Sequence, residues 1–314
     1  MYYPYLRGKQ FELKALKEFS EANPDAKEII PIIEPVSQSY RALISAMDEL
    51  VNNGMKFVLV VNPHDGDFRH PTISFSLFDE KPELLRITDM WIPAYVCEGD
   101  LSSVNSAIDS SPFNDVMLVF KSCANIDDSQ VQTLINNPKV GYIVNCFGKT
   151  VSRRIKKFLI DTGKSIICLE DCFTTRLKNA DYKDYDDEFF SDMPFFWQDE
   201  NYAGFSDYTA MSSDYTEGGY QPYAIAIHLT YRKGDEIYIH HFVSDSNWST
   251  SDIKGKFVEA GRKVEPFFAD KAQSAAIKDL INRADKGESG FPGLGYLKKL
   301  SMLNHLELIK TINP

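Results

Sequence analysis

Five apolar runs in this chain stop on a polar or charged residue. PIIEP ends at Glu34, VLVVNP at Asn62, MLVFKS at Lys121, YIVNC at Asn145, and IICLED at Glu170 and Asp171. A buried strand that ends on a polar group builds a rim, and rims repeated around one closed sheet converge on a site. Arg7 and Lys9, after the first aromatic run, and Asp207, in the last one, extend the ring. Arg7 and Lys121 can hold a phosphate or carboxylate through charge-assisted hydrogen bonds. Glu34 and Glu170 can do acid–base work if burial and neighbours set their pKa values apart. The expected catalytic set is therefore Glu34, Lys121 and Glu170. The expected ligand-binding set is Arg7, Lys9, Asn62, Asn145, Asp171 and Asp207. The carboxylates of Glu34, Glu170, Asp171 and Asp207 also suit a hard divalent cation, but no motif assigns a metal or a cofactor. The plain alternative at any one position is a strand end that is polar because it meets solvent.

Other chemistry-bearing residues carry weaker signals. Gly8 lets the Arg7-Gly8-Lys9 turn approach a ligand closely, at the start of a helix that favours anions. An ordinary turn tied to Glu12 fits the same residues. Gly204-Phe205-Ser206-Asp207-Tyr208-Thr209 can bind phosphate or simply cap a helix. His64-Asp65-Gly66-Asp67 superficially suggests a metal, but matches no zinc spacing. His240 and His241 are adjacent in a strand, so their rings face opposite ways and cannot share one ion. Cys146, Cys168 and Cys172 lack CxxC spacing and read as buried small hydrophobes. P-loop, GxSxG and HExxH motifs are absent from the sequence.

The elements that must position these residues alternate. Strand-like runs are expected at 2–6, 28–34, 56–62, 91–97, 115–121, 140–147 and 165–171, with an eighth within 194–209. Helical patterns fall between them at 9–22, 39–53, 100–109, 127–136 and 150–162, the second closed by Gly54 and the last by Gly163. Near-continuous apolar strands separated by helices indicate a parallel sheet buried on both faces. Eight such units favour closure over an open doubly wound sheet, whose first turn would be glycine-rich; LRGKQFE is not. The expected fold is α/β, a (β/α)8 TIM-like barrel. An acidic, aromatic stretch at 179–192 interrupts the pattern and reads as a binding surface or a lid packed on the barrel. Residues 223–245 read as an antiparallel hairpin turning at Arg-Lys-Gly-Asp, and 252–285 and 296–311 as helices. The expected division is a barrel core over 1–220, with a β-hairpin and helical C-terminal extension over 221–314 packed on it as one domain.

Composition narrows the function classes. With 314 residues, 43% of them hydrophobic, the chain can bury a large core. Its net charge of −11 lacks the basic footprint of a nucleic-acid binder. The start, Met-Tyr-Tyr-Pro-Tyr-Leu-Arg, is unlike a signal peptide, and no apolar run approaches membrane-spanning length. Five cysteines, an odd number without an export signal, point to reduced thiols and a cytoplasmic location.

The opening MYYPYLRGKQFELKAL, with IIPIIEPV after it, resembles the bacterial and phage "beta family" proteins. The likeness extends over most of the chain, including Gly-Phe-Ser-Asp-Tyr at 204–208. The resemblance implies a setting in mobile elements and phage-defence regions, beside a small partner protein encoded nearby. It implies no reaction and assigns no catalytic residue. Three functions stand as expectations. One, resting on the resemblance, is a defence-associated barrel that binds a ligand or a partner protein at the rim of its strands. Another, resting on the charged ring, is a hydrolase or lyase acting on a phosphorylated or nucleotide-like small molecule. The third is a purely structural or inhibitory binding protein on a barrel scaffold.

Overall fold

The computed structural model describes residues 1–70, 72–148, 152–185, 187–217 and 221–312. The expected start of the basic helix at 150 lies outside the described residues. The elements in chain order are β1 (Tyr5–Leu6), α1 (Gln10–Ala22), β2 (Ile32–Ile33), α2 (Arg41–Asn52), β3 (Phe57–Val60), α3 (Leu77–Glu80), β4 (Trp91–Val96), α4 (Leu101–Ser110), β5 (Val116–Phe120), α5 (Ser129–Asn136), β6 (Val140–Cys146), α6 (Arg153–Asp161) and β7 (Ser165–Glu170). Then come β8 (Asp187–Ser191), α7 (Met193–Phe196), β9 (Gly204–Asp207), β10 (Ala226–Lys233), β11 (Glu236–Val243), α8 (Ile253–Gly261), α9 (Val264–Phe267), α10 (Ala275–Asp285) and α11 (Leu294–Ile312).

Eight parallel strands pair in the order β1-β2-β3-β4-β5-β6-β7-β9. The seam closes through parallel bridging of Tyr2 with Phe205, where the Tyr3 amide donates to the Phe205 carbonyl at 2.8 Å. The protein thus contains the α/β, TIM-like barrel that the alternating pattern predicts. Local sequence explains the helix starts. Asp100, Asp128 and Ser152 cap α4, α5 and α6 through side-chain oxygens that accept from Ser102, Gln130 and Ile155 amides, satisfying donors that a helix N-terminus leaves open.

The barrel interior holds Tyr5, Ile32, Val58, Val60, Ala94, Val96, Met117, Val119, Val144, Ile167, Leu169 and Tyr208. Each strand sends alternate residues inward, so this list fixes which face every rim residue takes.

The chain divides into two compact units: 1–13, 20–171 and 196–208 in the first, and 14–19, 172–195 and 209–314 in the second. The first is the barrel. The second is built on a three-stranded antiparallel sheet, β10-β11-β8, with helices α8 to α11. The hairpin expected at 223–245 is present as β10 and β11, in register from Ala226 with Val243 to Lys233 with Glu236. The acidic aromatic stretch expected as a surface or lid supplies that sheet's third strand, β8, and a 3-10 turn at Asn179–Asp184. Position 220 falls inside the second unit, which also takes in 172–195, where Asp187–Ser191 pairs with β11.

Candidate functional site at the C-terminal mouth of the barrel

The inward alternation continues past the strand ends. Tyr3 and Tyr5 lead to Arg7, Ile30 and Ile32 to Glu34, Val58 and Val60 to Asn62, Met117 and Val119 to Lys121, and Ile167 and Leu169 to Asp171. Four of the nine expected residues form or border one cluster: Arg7, Glu34, Asn62 and Lys121. Glu34 is wholly buried. It accepts from the Tyr5 hydroxyl at 2.7 Å and from the His64 amide at 3.1 Å. Lys121 Nζ lies 2.8 Å from one Glu34 oxygen and 3.1 Å from the other.

Asp65, which the sequence marked only as part of a weak metal-like stretch, is the fourth charge of the cluster. It meets Arg7 Nε at 3.3 Å, Lys121 Nζ at 3.5 Å and Arg69 at 3.1 Å. Burial pushes its carboxyl up, but Lys121, Arg7 and the Arg69 hydrogen bond outweigh that and hold it below the usual aspartate value. Glycine chemistry places it: Gly66 has φ +64°, and a Cβ there would stand 2.0 Å from the Val36 carbonyl oxygen. Only a residue without a side chain lets the loop carrying Asp65 press against Val36, in the segment after β2.

The network is alternately charged and mostly enclosed. Side-chain exposure is 9% at Arg7, 14% at Asp65 and 16% at Lys121, against 0% at Glu34. Glu34 is therefore the innermost charge of the cluster, and Arg7, Lys121 and Asp65 are its solvent-facing members. Arg7 also lies over the Tyr208 ring at 5.3 Å and Lys121 over the Tyr5 ring at 5.8 Å, within cation–π range. Burial, with Glu34 and Tyr208 beside it, raises the Tyr5 hydroxyl well above the ordinary tyrosine value, though Arg7 opposes it. Burial likewise raises Tyr208, with Arg7 again opposing. Both phenols are therefore proton donors across the neutral range.

The other expected residues are placed differently. Asn62 faces inward, but its amide extends the sheet ladder. It accepts from the Val96 amide at 2.8 Å and donates to the Val96 carbonyl at 2.9 Å. Asp171 follows Leu169 on the inward alternation and contributes to the fields on Tyr208 and Cys146. Lys9 is the N-cap position of α1. Gly8 at φ +59° brings the turn against the Glu34 carbonyl, where a Cβ would sit at 3.1 Å, and Glu12 accepts from the Arg7 amide. The turn tied to Glu12 is therefore present, and Gly8 serves approach of chain to chain.

Asn145, Glu170 and Asp207 point outward, away from the Arg7–Glu34–Lys121 cluster. Asn145 is fully buried; its Oδ1 accepts from the Ala124 amide at 2.9 Å, and its Nδ2 has no hydrogen-bond partner among the described residues. Glu170 adds its field to Cys168 and Tyr202, beside the Lys156–Glu200 ion pair and the Lys156–Tyr202 contact of 4.8 Å. Asp207 accepts from the Tyr2 hydroxyl at 2.7 Å. Parity separates these three from the cluster: each lies one residue from an inward position.

The described residues contain no group of three or more His, Cys, Asp or Glu side chains arranged to hold a metal. None of the five cysteines stands in a disulfide. Burial pushes Cys168 up, to above the range of a reactive thiol, in keeping with a small hydrophobe. Among the described residues, no helix is long and apolar enough to cross a membrane. No family model and no curated protein matches this chain.

Proposed function

We propose that the chain is a ligand-binding barrel whose C-terminal mouth receives a small anionic molecule, in the phage-defence or mobile-element setting implied by its resemblance. Arg7 and Lys121 supply the attraction, with Glu34 and Asp65 holding them in place. The observation that carries this reading is the enclosed ring of two cations and two carboxylates at the inward strand ends. Desolvating four charges is expensive, and an apolar set of the same volume would serve stability as well or better. The position of such a set at the face where barrels of this type work favours a binding role. A partner protein encoded nearby would read the occupied mouth or another surface of the chain.

The test is calorimetric titration of the full chain with inorganic phosphate and with a nucleoside monophosphate. Binding should occur for at least one of them and fall at least tenfold in Arg7→Gln, whose partner Asp65 keeps Arg69. Unchanged binding in Arg7→Gln, or no binding of either anion, would overturn the reading. Co-purification from cells carrying the neighbouring genes checks the partner separately, and recovery of the chain alone would count against it.

A second reading, a hydrolase or lyase of a phosphorylated small molecule, is favoured by one geometry. Glu34 is hydrogen-bonded to both a tyrosine hydroxyl and an ammonium, so a proton has two short routes to or from its carboxylate. Turnover of phosphorylated substrates that is lost in Glu34→Gln with the fold intact would support it. Full turnover in that variant would remove it.

A further inference from the structure

The second unit carries a hydrogen-bonded chain of ionisable groups that plays no part in the barrel mouth. Arg176 donates to Glu188 Oε1 at 2.6 Å. Glu188 Oε2 lies 3.0 Å from His241 Nε2, and His241 Nδ1 lies 2.7 Å from His228 Nδ1. The donor directions can be worked out. A carboxylate paired with a guanidinium accepts, so His241 carries its proton on Nε2 and presents a bare Nδ1. The contact between the two Nδ1 atoms then requires His228 to donate from Nδ1. His228 is left with an unprotonated Nε2, the end of the chain.

The surroundings support a working imidazole at that end. His241 is 2% exposed, and His228 beside it is largely enclosed without being fully buried. Phe173 and Tyr182 meet the His228 ring edge-on, with centroids at 5.0 and 4.7 Å. Arg176 is fixed from three sides: its guanidinium lies 3.7 Å from the Tyr185 ring centroid, its NH2 donates to Glu188, and its amide donates to the Tyr182 hydroxyl at 3.1 Å. The charged and titratable groups acting on the histidine pair are Glu188, Arg176, His240 and Lys298. Burial and Lys298 both favour the neutral form of His228.

We propose that Arg176, Glu188 and His241 are positioning residues that hold His228 as a neutral imidazole with an unprotonated Nε2, making an acid–base site suited to a hydroxyl group or water. In such a step the O–H bond breaks and its proton passes to His228 Nε2. The oxygen keeps the electron pair, and the new imidazolium still donates from Nδ1 to His241. A carboxylate-backed histidine pair in this order works on the same physical basis as other oriented imidazole bases.

The test uses the full chain labelled with 15N-histidine and long-range proton–nitrogen correlation at pH 7.5. The expected result is His241 protonated on Nε2 and His228 protonated on Nδ1. His228 protonated on Nε2 overturns the proposal whatever any variant does. A second measurement follows acylation by diethyl pyrocarbonate with peptide mass spectrometry. His228 should be modified severalfold faster than His241, and Glu188→Gln should slow His228 severalfold by weakening the orienting chain. An unchanged rate in folded Glu188→Gln would show that the chain does not orient His228 and would also overturn the proposal.

Discussion

Replacing Lys121 with methionine isolates the energetics of the barrel mouth. Methionine keeps most of the side-chain volume and removes the ammonium that lies 2.8 and 3.1 Å from the Glu34 oxygens. Glu34, 0% exposed, would keep hydrogen bonds from the Tyr5 hydroxyl and the His64 amide but lose its cation. Removing one partner of a buried pair typically costs about 3–5 kcal/mol, because the other charge is left uncompensated. The two surviving hydrogen bonds, and Arg7 at the far side of Asp65, put the expected loss near the lower end, about 3 kcal/mol. Glu34→Gln in the Lys121→Met background removes the stranded charge while an amide still accepts from Tyr5. The double variant should therefore recover most of the loss, leaving about 1 kcal/mol. Urea unfolding followed by tryptophan fluorescence reads this directly, since Trp91 is 2% exposed in the barrel wall. A loss below about 1 kcal/mol in Lys121→Met would refute the reasoning, as would a double variant no more stable than the single one, given a coupling expected to exceed about 1.5 kcal/mol.

Acid sensitivity should be traceable to the histidine pair. His228 is lowered well below 6.5 by burial, with His241 and Lys298 adding to it; His241 is lowered by burial against the pull of Glu188. The unfolded chain therefore takes up these protons first, so stability is held above pH 6.5 and lost as pH falls towards the folded values. The slope is at most about 1.4 kcal/mol per pH unit for each histidine. Glu12 and Glu307, raised above 4.5 mainly by burial, act in the opposite sense. The readout is therefore the difference between wild type and His228→Asn/His241→Asn, whose pH dependence between 6.5 and 5 should be flatter; identical slopes would contradict the assignment. Gly66→Ala should cost more than about 2 kcal/mol, since its φ is +64° and its Cβ would meet the Val36 carbonyl. It should also weaken anion binding by displacing Asp65, measured by chemical denaturation and calorimetry; a near-neutral outcome in both would show that the loop relaxes freely.

Local sequence was enough to determine the barrel. Eight apolar runs, helix caps such as Asp100 and Asp128, and the alternation of elements leave few other architectures for residues up to Asp207. The same sequence placed Arg7, Glu34, Asn62 and Lys121 at strand ends. It did not separate them from Asn145, Glu170 and Asp207. The reason is physical: parallel strands covered on both faces are apolar at every position, so hydropathy carries no parity signal, and a residue one step along the strand points to the opposite side. Tertiary structure decided the rest. Asp65 joins the site because Gly66 lets its loop pack on Val36, in the segment after β2, a contact with no trace in local periodicity. The stretch from 187 became a strand of the second unit because the β10–β11 hairpin offered it an edge. His228 and His241, thirteen residues apart, meet because antiparallel register sets them directly opposite each other. Composition and periodicity act along the chain, whereas charge partners, parity and register are fixed only when distant segments close on one another.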